Sequence, residues 1–256
     1  MRSHEIEYKI IGHDVQLVEV ELDPGETVIA EAGTMLYMEP GIDFEAKMGD
    51  GSTPGEGLFG KLLKGAGRLI SGESFFLTHF TNRNYSGKSH VSFAGPYPGT
   101  IIPLDLQKMG GSVTVQRSAF LCAAMGTKVS VTLNRKLGAG FFGGEGFILQ
   151  RLEGDGMAFI HAGGSVIERE LHGDTLRVDT GCVVGFSSGI DFGIQQAGNL
   201  KSMVFGGEGL FLATLSGHGK VWIQSMPISK LIRELSRFGG NQRKETGGLL
   251  NQFLQD

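Results

Sequence analysis

Three glutamates, Glu73, Glu145 and Glu208, each follow a glycine, precede a glycine or serine, and lead into an apolar run. Carboxylate oxygens bind divalent cations, so three of them meeting on a pseudo-threefold axis could hold one. A carboxylate in a tight turn can instead accept hydrogen bonds from backbone N–H groups. Because each copy must build the same turn, repetition favours the structural role. We predict no metal site and no catalytic role for these glutamates.

The sequence GEGLFGK at 55–61 matches both G-x-G-x-x-G and the beginning of a phosphate-binding loop. The phosphate loop needs Ser or Thr after its lysine, where this chain has Leu62, and both motifs need a strand immediately upstream. The upstream residues 49–54 are turn-forming instead. The pattern therefore favours a glycine-rich loop leading into a helix, and we predict no nucleotide cofactor.

The histidines and serines show no local catalytic or metal-binding pattern. The seven histidines form no H-x-H, H-x₃-H or H-E-x-x-H spacing, and no G-x-S-x-G elbow is present. Cys122 and Cys182 lack metal-type spacing and are expected to be small core residues in a reducing compartment. We predict that the protein is not an enzyme and uses no cofactor.

The glutamates belong to a longer repeat that sets the architecture. Gly110, Gly126 and Glu145 recur as Gly173, Gly189 and Glu208, a constant shift of 63 residues. The corresponding landmarks of the first copy, at 25, 41 and 73, precede the second copy by 85, 85 and 72 residues. The first copy therefore contains 13 extra residues between 44 and 73. The chain is predicted to be a triplication with one insertion.

Short alternating apolar segments separated by frequent turns indicate an all-β fold, and 42 glycines in 256 residues are suited to many tight turns. Units of about 65 residues are too small to be stable alone, so we expect the three to share one core. Trp222, on the closing strand of the third unit, is expected to be buried in it. The predicted boundaries are 13–98 for repeat 1, 99–163 for repeat 2, 164–227 for repeat 3, and 228–256 for a C-terminal helix and tail.

Two segments have helical rather than strand spacing. The insertion, at about 49–70, alternates apolar residues with cations and can lie in a membrane interface, dock a partner, or pack on its own domain. The C-terminal segment 228–238 is apolar at 228, 231, 232, 235 and 238, and is expected to dock this stripe on a β surface of its own or a neighbouring subunit. The insertion residues proposed for membrane or partner docking are Leu58, Phe59, Lys61, Leu62, Leu63, Lys64 and Arg68.

The triplicated Gly-Glu-Gly units, together with GAGRLISGESFF at 65–76 after a basic amphipathic segment, resemble a known family. It is the bacterial family related to the mitochondrial protein named for altered inheritance of mitochondria. The resemblance spans about residues 8–222 and implies a fold like that of the tryptophan RNA-binding attenuator protein (TRAP). In that fold a shortened double-stranded β-helix would be repeated in one chain as a pseudo-trimer. The resemblance implies no enzymatic activity and brings no catalytic residues.

The net charge and the hydrophobic segments limit the kinds of partner that the protein can bind. A net charge of −4 and a pI of about 6.0 argue against generic nucleic-acid binding. No apolar signal region or membrane-spanning stretch is visible, so a cytoplasmic protein is expected. We predict a non-enzymatic assembly or scaffold protein that forms homo-oligomers. The alternatives are a small-ligand-binding module with a pocket between repeats, and a peripheral membrane protein using the inserted segment.

Overall fold

Strands form most of the protein, and they follow one another through short turns. The computed structural model describes residues 2–48, 76–135, 147–196 and 211–236. The predicted all-β class is confirmed. The strands are β1 Glu7–Ile11, β2 Leu17–Leu22, β3 Thr27–Glu31, β4 Met35–Met38, β5 Ile42–Met48, β6 Phe76–Asn82, β7 Ser89–Ala94, β8 Gly99–Asp105, β9 Ser112–Gln116, β10 Phe120–Ala124, β11 Lys128–Arg135, β12 Phe147–Glu153, β13 Met157–Gly163, β14 Val166–Asp179, β15 Val183–Ser187, β16 Ile190–Gln196 and β17 Phe211–Gln224.

The strands form three sheets in which every described pairing is antiparallel. The first sheet has the order β1-β2-β7-β4, and the central sheet has the order β5-β6-β3-β10-β13-β8. The third sheet has the order β11-β12-β9-β15-β17-β14, with β16 also paired to β17. The chain therefore passes from one sheet to another, and no described hydrogen-bonded ladder runs through all three sheets.

The inner strands of the central sheet, β3, β10 and β13, are buried on both faces. Strand β10 is buried along its whole length, and its residues are divided between two hydrophobic clusters. Cys122 and Ala124 belong to the cluster shared with the first sheet, whereas Ala123 belongs to the cluster shared with the third sheet. Small side chains on β10 suit this position, because sheets packed face to face lie only about 10 Å apart. The prediction that the cysteine at 122 is a small core residue is confirmed.

The expectation that the three units share a core is confirmed in part. One cluster includes Ile29, Val113 and Trp222 from the three predicted repeats, but the buried apolar residues form three clusters rather than one. The third cluster includes Leu171, Val178 and Leu215 and lies where the third sheet folds over itself. Strands β14 and β17 bend there, at a bulge between His172 and Thr175 and near Gly217 and Gly219. The physical reason is that each pair of facing sheets must be filled separately, so successive layers enclose successive cores.

The same strand pairings occur in three segments of chain, which we call segment 1 (17–94), segment 2 (99–163) and segment 3 (166–224). In segment 2 the pairs are β8 with β13, β9 with β12, β10 with β13, and β11 with β12. Segment 1 has the same four pairs among β2 to β7. In segment 3 the two halves of β14 and of β17 each serve as separate strands of this set.

Neighbouring segments are joined by one further strand pair in the same register. Strand β10 of segment 2 pairs with β3 of segment 1, with Cys122 opposite Ala30. Strand β15 of segment 3 pairs with β9 of segment 2, with Gly185 opposite Val115. Residue 185 follows 122 by 63 positions and residue 115 follows 30 by 85 positions. These are the two shifts seen in the sequence repeat, so both junctions align the same repeat positions.

Trp222 is buried as predicted, with 1% of its surface exposed. It lies opposite Gly185, just as Phe159 lies opposite Cys122 in segment 2. Its ring belongs to the cluster between the central and third sheets. Its indole N–H donates a 2.9 Å hydrogen bond to the Glu168 carboxylate, so the polar atom of the ring is satisfied.

One α-helix, α1 at 228–236, is present in the described part of the chain. Its first turn is half-buried against the sheets, but Ile232 and Leu235 are 52% and 61% exposed. The predicted apolar stripe therefore packs on its own domain only at its start, and position 238 lies outside the described residues. No described helix is long and apolar enough to cross a membrane.

Candidate functional site

A cavity of about 420 Å³ opens between segments 1 and 2. Two turns form its sides, the β3–β4 turn of segment 1 and the Arg117–Ala119 turn that joins β9 to β10. The first turn of α1 covers one end, and strands β10, β12 and β13 form the floor. The apolar lining includes Pro96, Tyr97, Phe120, Leu121, Ile148, Ile228 and Ile232, and the polar lining includes Glu31, Thr34, Gln116, Arg117, Ser118, His161 and Ser229.

His161 is a buried titratable group at this cavity, with only 2% of its surface exposed. Burial lowers the pKa of its imidazole, and a hydrogen bond to the Tyr97 backbone opposes the shift. Its Nδ1 is buried without a hydrogen-bond partner among the described residues. The ring is therefore neutral near pH 7. With the proton on the other ring nitrogen, toward the Tyr97 carbonyl, Nδ1 is left as an acceptor.

Two glycines make room for the imidazole. A Cβ on Gly95 would lie 2.3 Å from Cδ2 of His161, and a Cβ on Gly99 would lie 2.5 Å from its Nε2. The Tyr97 ring packs edge-on against the imidazole with the ring centroids 4.7 Å apart. The link between β7 and β8 therefore passes directly over His161 and holds its ring in one orientation.

Gln116 and Arg117 contribute the other polar groups. Gln116 is 7% exposed, and its Oε1 has no hydrogen-bond partner among the described residues. Arg117 is half-buried and lies within 4.0 Å of no carboxylate in the described part of the chain. A buried acceptor without a partner costs about 1–3 kcal/mol. Two such acceptors beside an unpaired guanidinium therefore make a polar cluster that a ligand can satisfy.

The polar side chains at the equivalent position in segment 3 are paired. His161 corresponds to Gln224 by the 63-residue shift, and Gln116 corresponds to Asp179. The Gln224 amide accepts from Gly163 N at 2.8 Å and donates to Gly181 O at 2.9 Å. The Asp179 carboxylate accepts from the backbone N–H of Gly181 at 3.0 Å and pairs with Lys230 at 3.4 Å. Every polar group of this segment 3 set thus has a partner, whereas segment 2 leaves two acceptors unsatisfied.

Strand β4 forms a second candidate site, a free edge of the first sheet. Its only described partner is β7. Met35, Leu36 and Tyr37 are 39%, 56% and 40% exposed, whereas the corresponding strands β10 and β15 are almost entirely buried. An exposed apolar edge strand is a template for pairing with another strand.

The second half of β14, at 175–179, forms a matching edge in the third sheet. It pairs with β17 on one side, and no described strand pairs with its other side. The equivalent strands β3 and β9 each have a second partner from the next segment. Thr175 and Arg177 on this edge are exposed. The two free edges are the strands that would meet at a third junction.

His90 holds the end of β4 in place, and we expect its titration to affect stability. Its imidazole lies 2.9 Å from Glu39 Oε2 and 3.2 Å from Glu21 Oε2, and the hydrogen bond to Glu39 chiefly raises its pKa. A raised pKa means that this stabilisation is fully present below the ordinary histidine value of 6.5 and is lost as pH rises through the folded pKa. Between about pH 5.5 and pH 8.5, wild type should lose up to about 1 kcal/mol more than His90→Gln. Urea unfolding at both pH values measures this difference, and equal losses would contradict it.

Three carboxylates cluster beside the turn between β2 and β3. One oxygen each of Glu7, Asp23 and Glu26 lies within 4.8 Å of the others. Burial chiefly raises the pKa of Glu26, and the charges of Asp23 and Glu7 act in the same direction. The Lys88 ammonium lies 3.8 Å from Glu7 and 3.9 Å from Asp23 and offsets their charge. The cluster is therefore explained as a charge-balanced surface turn.

Most of the predicted motif residues lie outside the described ranges. These are Glu73, Glu145 and Glu208, the 55–61 loop, and the insertion with Leu58, Phe59, Lys61, Leu62, Leu63, Lys64 and Arg68. Their structural or docking roles stay predictions.

Sequence reasoning did not select His161, Gln116 or Arg117. One signal was available, because the 63-residue shift aligns His161 with Gln224, and the strand pairings align it with Ala94 of segment 1. Segment 2 is thus the only one of the three with a histidine at this position.

Three comparisons place the chain among known proteins. A family model described as mitochondrial biogenesis AIM24 matches residues 8–226. An uncharacterized protein of Streptococcus pyogenes serotype M6 is 30% identical over 224 residues, covering 87% of this chain and 86% of that protein. The crystal structure of a Streptococcus pyogenes protein is similar with a TM-score of 0.72 at 25% identity, covering 91% of this chain and 100% of that one.

Proposed function

Because the chain belongs to the AIM24 mitochondrial biogenesis family, whose similar bacterial proteins carry no stated activity, we propose a function from the strand edges. We propose that it is a non-enzymatic assembly protein whose copies join head to tail through β4 and the second half of β14. The observation that carries this proposal is the common register of the two junctions within the chain. The scaffold would work in the cytoplasm, in keeping with two buried cysteines, Cys122 and Cys182, that form no disulfide.

We further propose that the three segments are TRAP-like units forming a pseudo-trimer within one chain. Four shared strand pairings in each segment support this, as does the agreement between junction register and the 63- and 85-residue shifts. Each junction joins the third strand of one unit to the second strand of the unit before it. Three units in a row therefore leave one third strand and one second strand without a partner.

The repeat specifies how those two ends would pair. Extending the shared register places Tyr37 opposite Val178 and Met38 opposite Arg177 of a second copy. The combined sheet would have the order β16-β17-β14-β4-β7-β2-β1, with β4, β7, β2 and β1 from the second copy. This matches the arrangement of the central sheet, where β5, β6 and β3 continue into β10, β13 and β8.

Such contacts are heterologous, because each copy uses a different surface on each side. Heterologous contacts produce a closed ring when the rotation between copies closes, and an open filament when it does not. Because every chain supplies three units, either assembly contains a multiple of three units. This geometry supports the proposed non-enzymatic scaffold role, since repeated edge pairing would build a platform rather than a reaction centre.

Light scattering coupled to size exclusion tests the proposal directly. Wild type should elute as several chains, and the double variant Leu36→Lys with Tyr37→Lys should elute as a single chain, because charged residues on an edge strand block pairing. Val15→Lys is the matched control, since Val15 is 64% exposed but lies outside β4. A single-chain wild type, or a double variant with the subunit number of wild type, would overturn the proposal.

Engineered disulfides test the register independently. Opposite residue pairs in an antiparallel ladder alternate between wider and closer spacing, and closer pairs suit a disulfide. The cysteine pairs Tyr37→Cys with Val178→Cys, and Met38→Cys with Arg177→Cys, therefore include one close pair. Under oxidation that pair should yield covalently linked chains, whereas Leu36→Cys with Thr175→Cys, which are not opposite each other, should not.

A further inference from the structure

We propose that the cavity between segments 1 and 2 binds a small amphiphile that carries a carboxylate and a nearby hydroxyl on an apolar chain. The cavity lining does not include the residues of β4 or of 175–179, although its β3–β4 turn leads directly into β4. It is lined by the β3–β4 turn, the Arg117–Ala119 turn, β10, β12, β13 and the first turn of α1.

The hydroxyl is required by two buried acceptors. Nδ1 of His161 and Oε1 of Gln116 have no partners among the described residues, and both side chains are more than 90% buried. An aliphatic hydroxyl can donate its one hydrogen to either of them, whereas a purely apolar ligand would leave both unsatisfied. The neutral imidazole is suited to this role because it keeps its acceptor lone pair.

The carboxylate is required by Arg117. Its guanidinium lines the cavity and is half-buried, with no ion pair in the part of the chain that the structure describes. Guanidinium and carboxylate groups form paired, charge-assisted hydrogen bonds. An acidic head group would thus satisfy the one cation on this turn.

The apolar chain is required by the remaining lining. Phe120, Leu121 and Ile148 lie on the strands beneath the cavity, and Ile228 and Ile232 face it from α1. A volume of about 420 Å³ is within the range of small-molecule sites, about 300–1,000 Å³, and such sites combine apolar walls with a few polar anchors. The exposed part of Ile232 would become covered when an alkyl chain occupies the opening.

Segment 3 shows that the same backbone can carry polar side chains that all have partners. At the equivalent position Gln224 bridges two backbone groups, and Lys230 pairs with Asp179. The equivalent backbone of segment 2 carries His161, Gln116 and Arg117 instead, and a cavity opens beside them. The difference between two equivalent positions in one chain therefore points to a ligand rather than to folding.

Isothermal titration calorimetry with three matched probes tests the proposal. The probes are 3-hydroxydecanoate, decanoate, which lacks the hydroxyl, and 1,3-decanediol, which lacks the carboxylate, all below their micelle or solubility limits. Wild type should bind 3-hydroxydecanoate about 10-fold more tightly than either of the others, since each missing group leaves a buried partner unsatisfied. His161→Phe should remove the preference over decanoate, and Arg117→Gln should remove the preference over the diol.

Arg83→Gln is the control, because Arg83 is an exposed cation paired with Asp43 and lies away from the cavity. It should bind all three probes like wild type. Circular dichroism and thermal unfolding of each variant establish that the fold is kept. Equal affinity of folded wild type for the three probes, or no binding of any of them at millimolar concentration, would mean that the cavity holds water alone and would overturn the proposal.

Discussion

Replacing Trp222 with alanine should lower the free energy of unfolding by about 3–5 kcal/mol, because a large buried side chain would leave a cavity between two sheets. Trp222 is 1% exposed and belongs to the cluster between the central and third sheets. The substitution would also free the Glu168 carboxylate from its indole donor. Denaturant unfolding of the two proteins, followed by circular dichroism, measures the loss.

Two comparisons separate cavity formation from other effects of this substitution. Trp222→Phe should cost less, since most of the volume is kept. Phe44→Ala should cost little, because Phe44 is 56% exposed. Trp222 is the only tryptophan of the chain, so wild type should also show blue-shifted emission that is poorly quenched. Red-shifted emission, or a loss below about 1 kcal/mol, would contradict the burial described here.

Replacing Gln224 with leucine should destabilise the protein by about 3 kcal/mol, although the two side chains are similar in size. The Gln224 amide bonds Gly163 N at the end of segment 2 and Gly181 O in the turn of segment 3. Leucine would leave both backbone groups buried without partners, at about 1–3 kcal/mol each. The side chain thus ties two segments together at a point where no strand ladder joins them.

Gln107→Leu is the matched control, because Gln107 is exposed in the turn after β8. Its free energy of unfolding should change by no more than about 0.5 kcal/mol. Gln224→Glu offers a second comparison, since it keeps an acceptor for Gly163 N but removes the donor to Gly181 O. A Gln224→Leu protein as stable as the control variant would show that water replaces both hydrogen bonds.

Both candidate sites lie where the three segments differ, but for different reasons. Copies of one unit must share their strand pairings, but only internal units have neighbours on both sides. The outer edges at β4 and at 175–179 are therefore open by geometry. The cavity at His161 is open for another reason, since one copy carries different side chains on the common backbone.

The sequence alone determined the class of fold, the repeat and several elements. Alternating residues predicted strands because successive side chains of a strand point to opposite faces. Constant shifts of 63 and 85 residues marked equivalent positions, and the junction registers later followed the same shifts. The position of Trp222 within its run predicted burial, and the apolar spacing after Pro227 predicted the helix. These features are local or periodic, so they can be recognised along the chain.

Only the tertiary structure decided how the sheets stack and what their contacts leave unpaired. The division of the buried residues into three clusters was not predicted, because sequence periodicity shows that a residue is buried, but not which sheet faces it. Cys122 and Ala123 are adjacent in sequence yet belong to different clusters. In the same way, His161 became a candidate only when its neighbours in space left Nδ1 without a partner. Whether a polar group is hydrogen-bonded, and whether a strand edge is paired, depends on contacts between residues that are distant in sequence. Local sequence patterns do not show which distant residues come into contact.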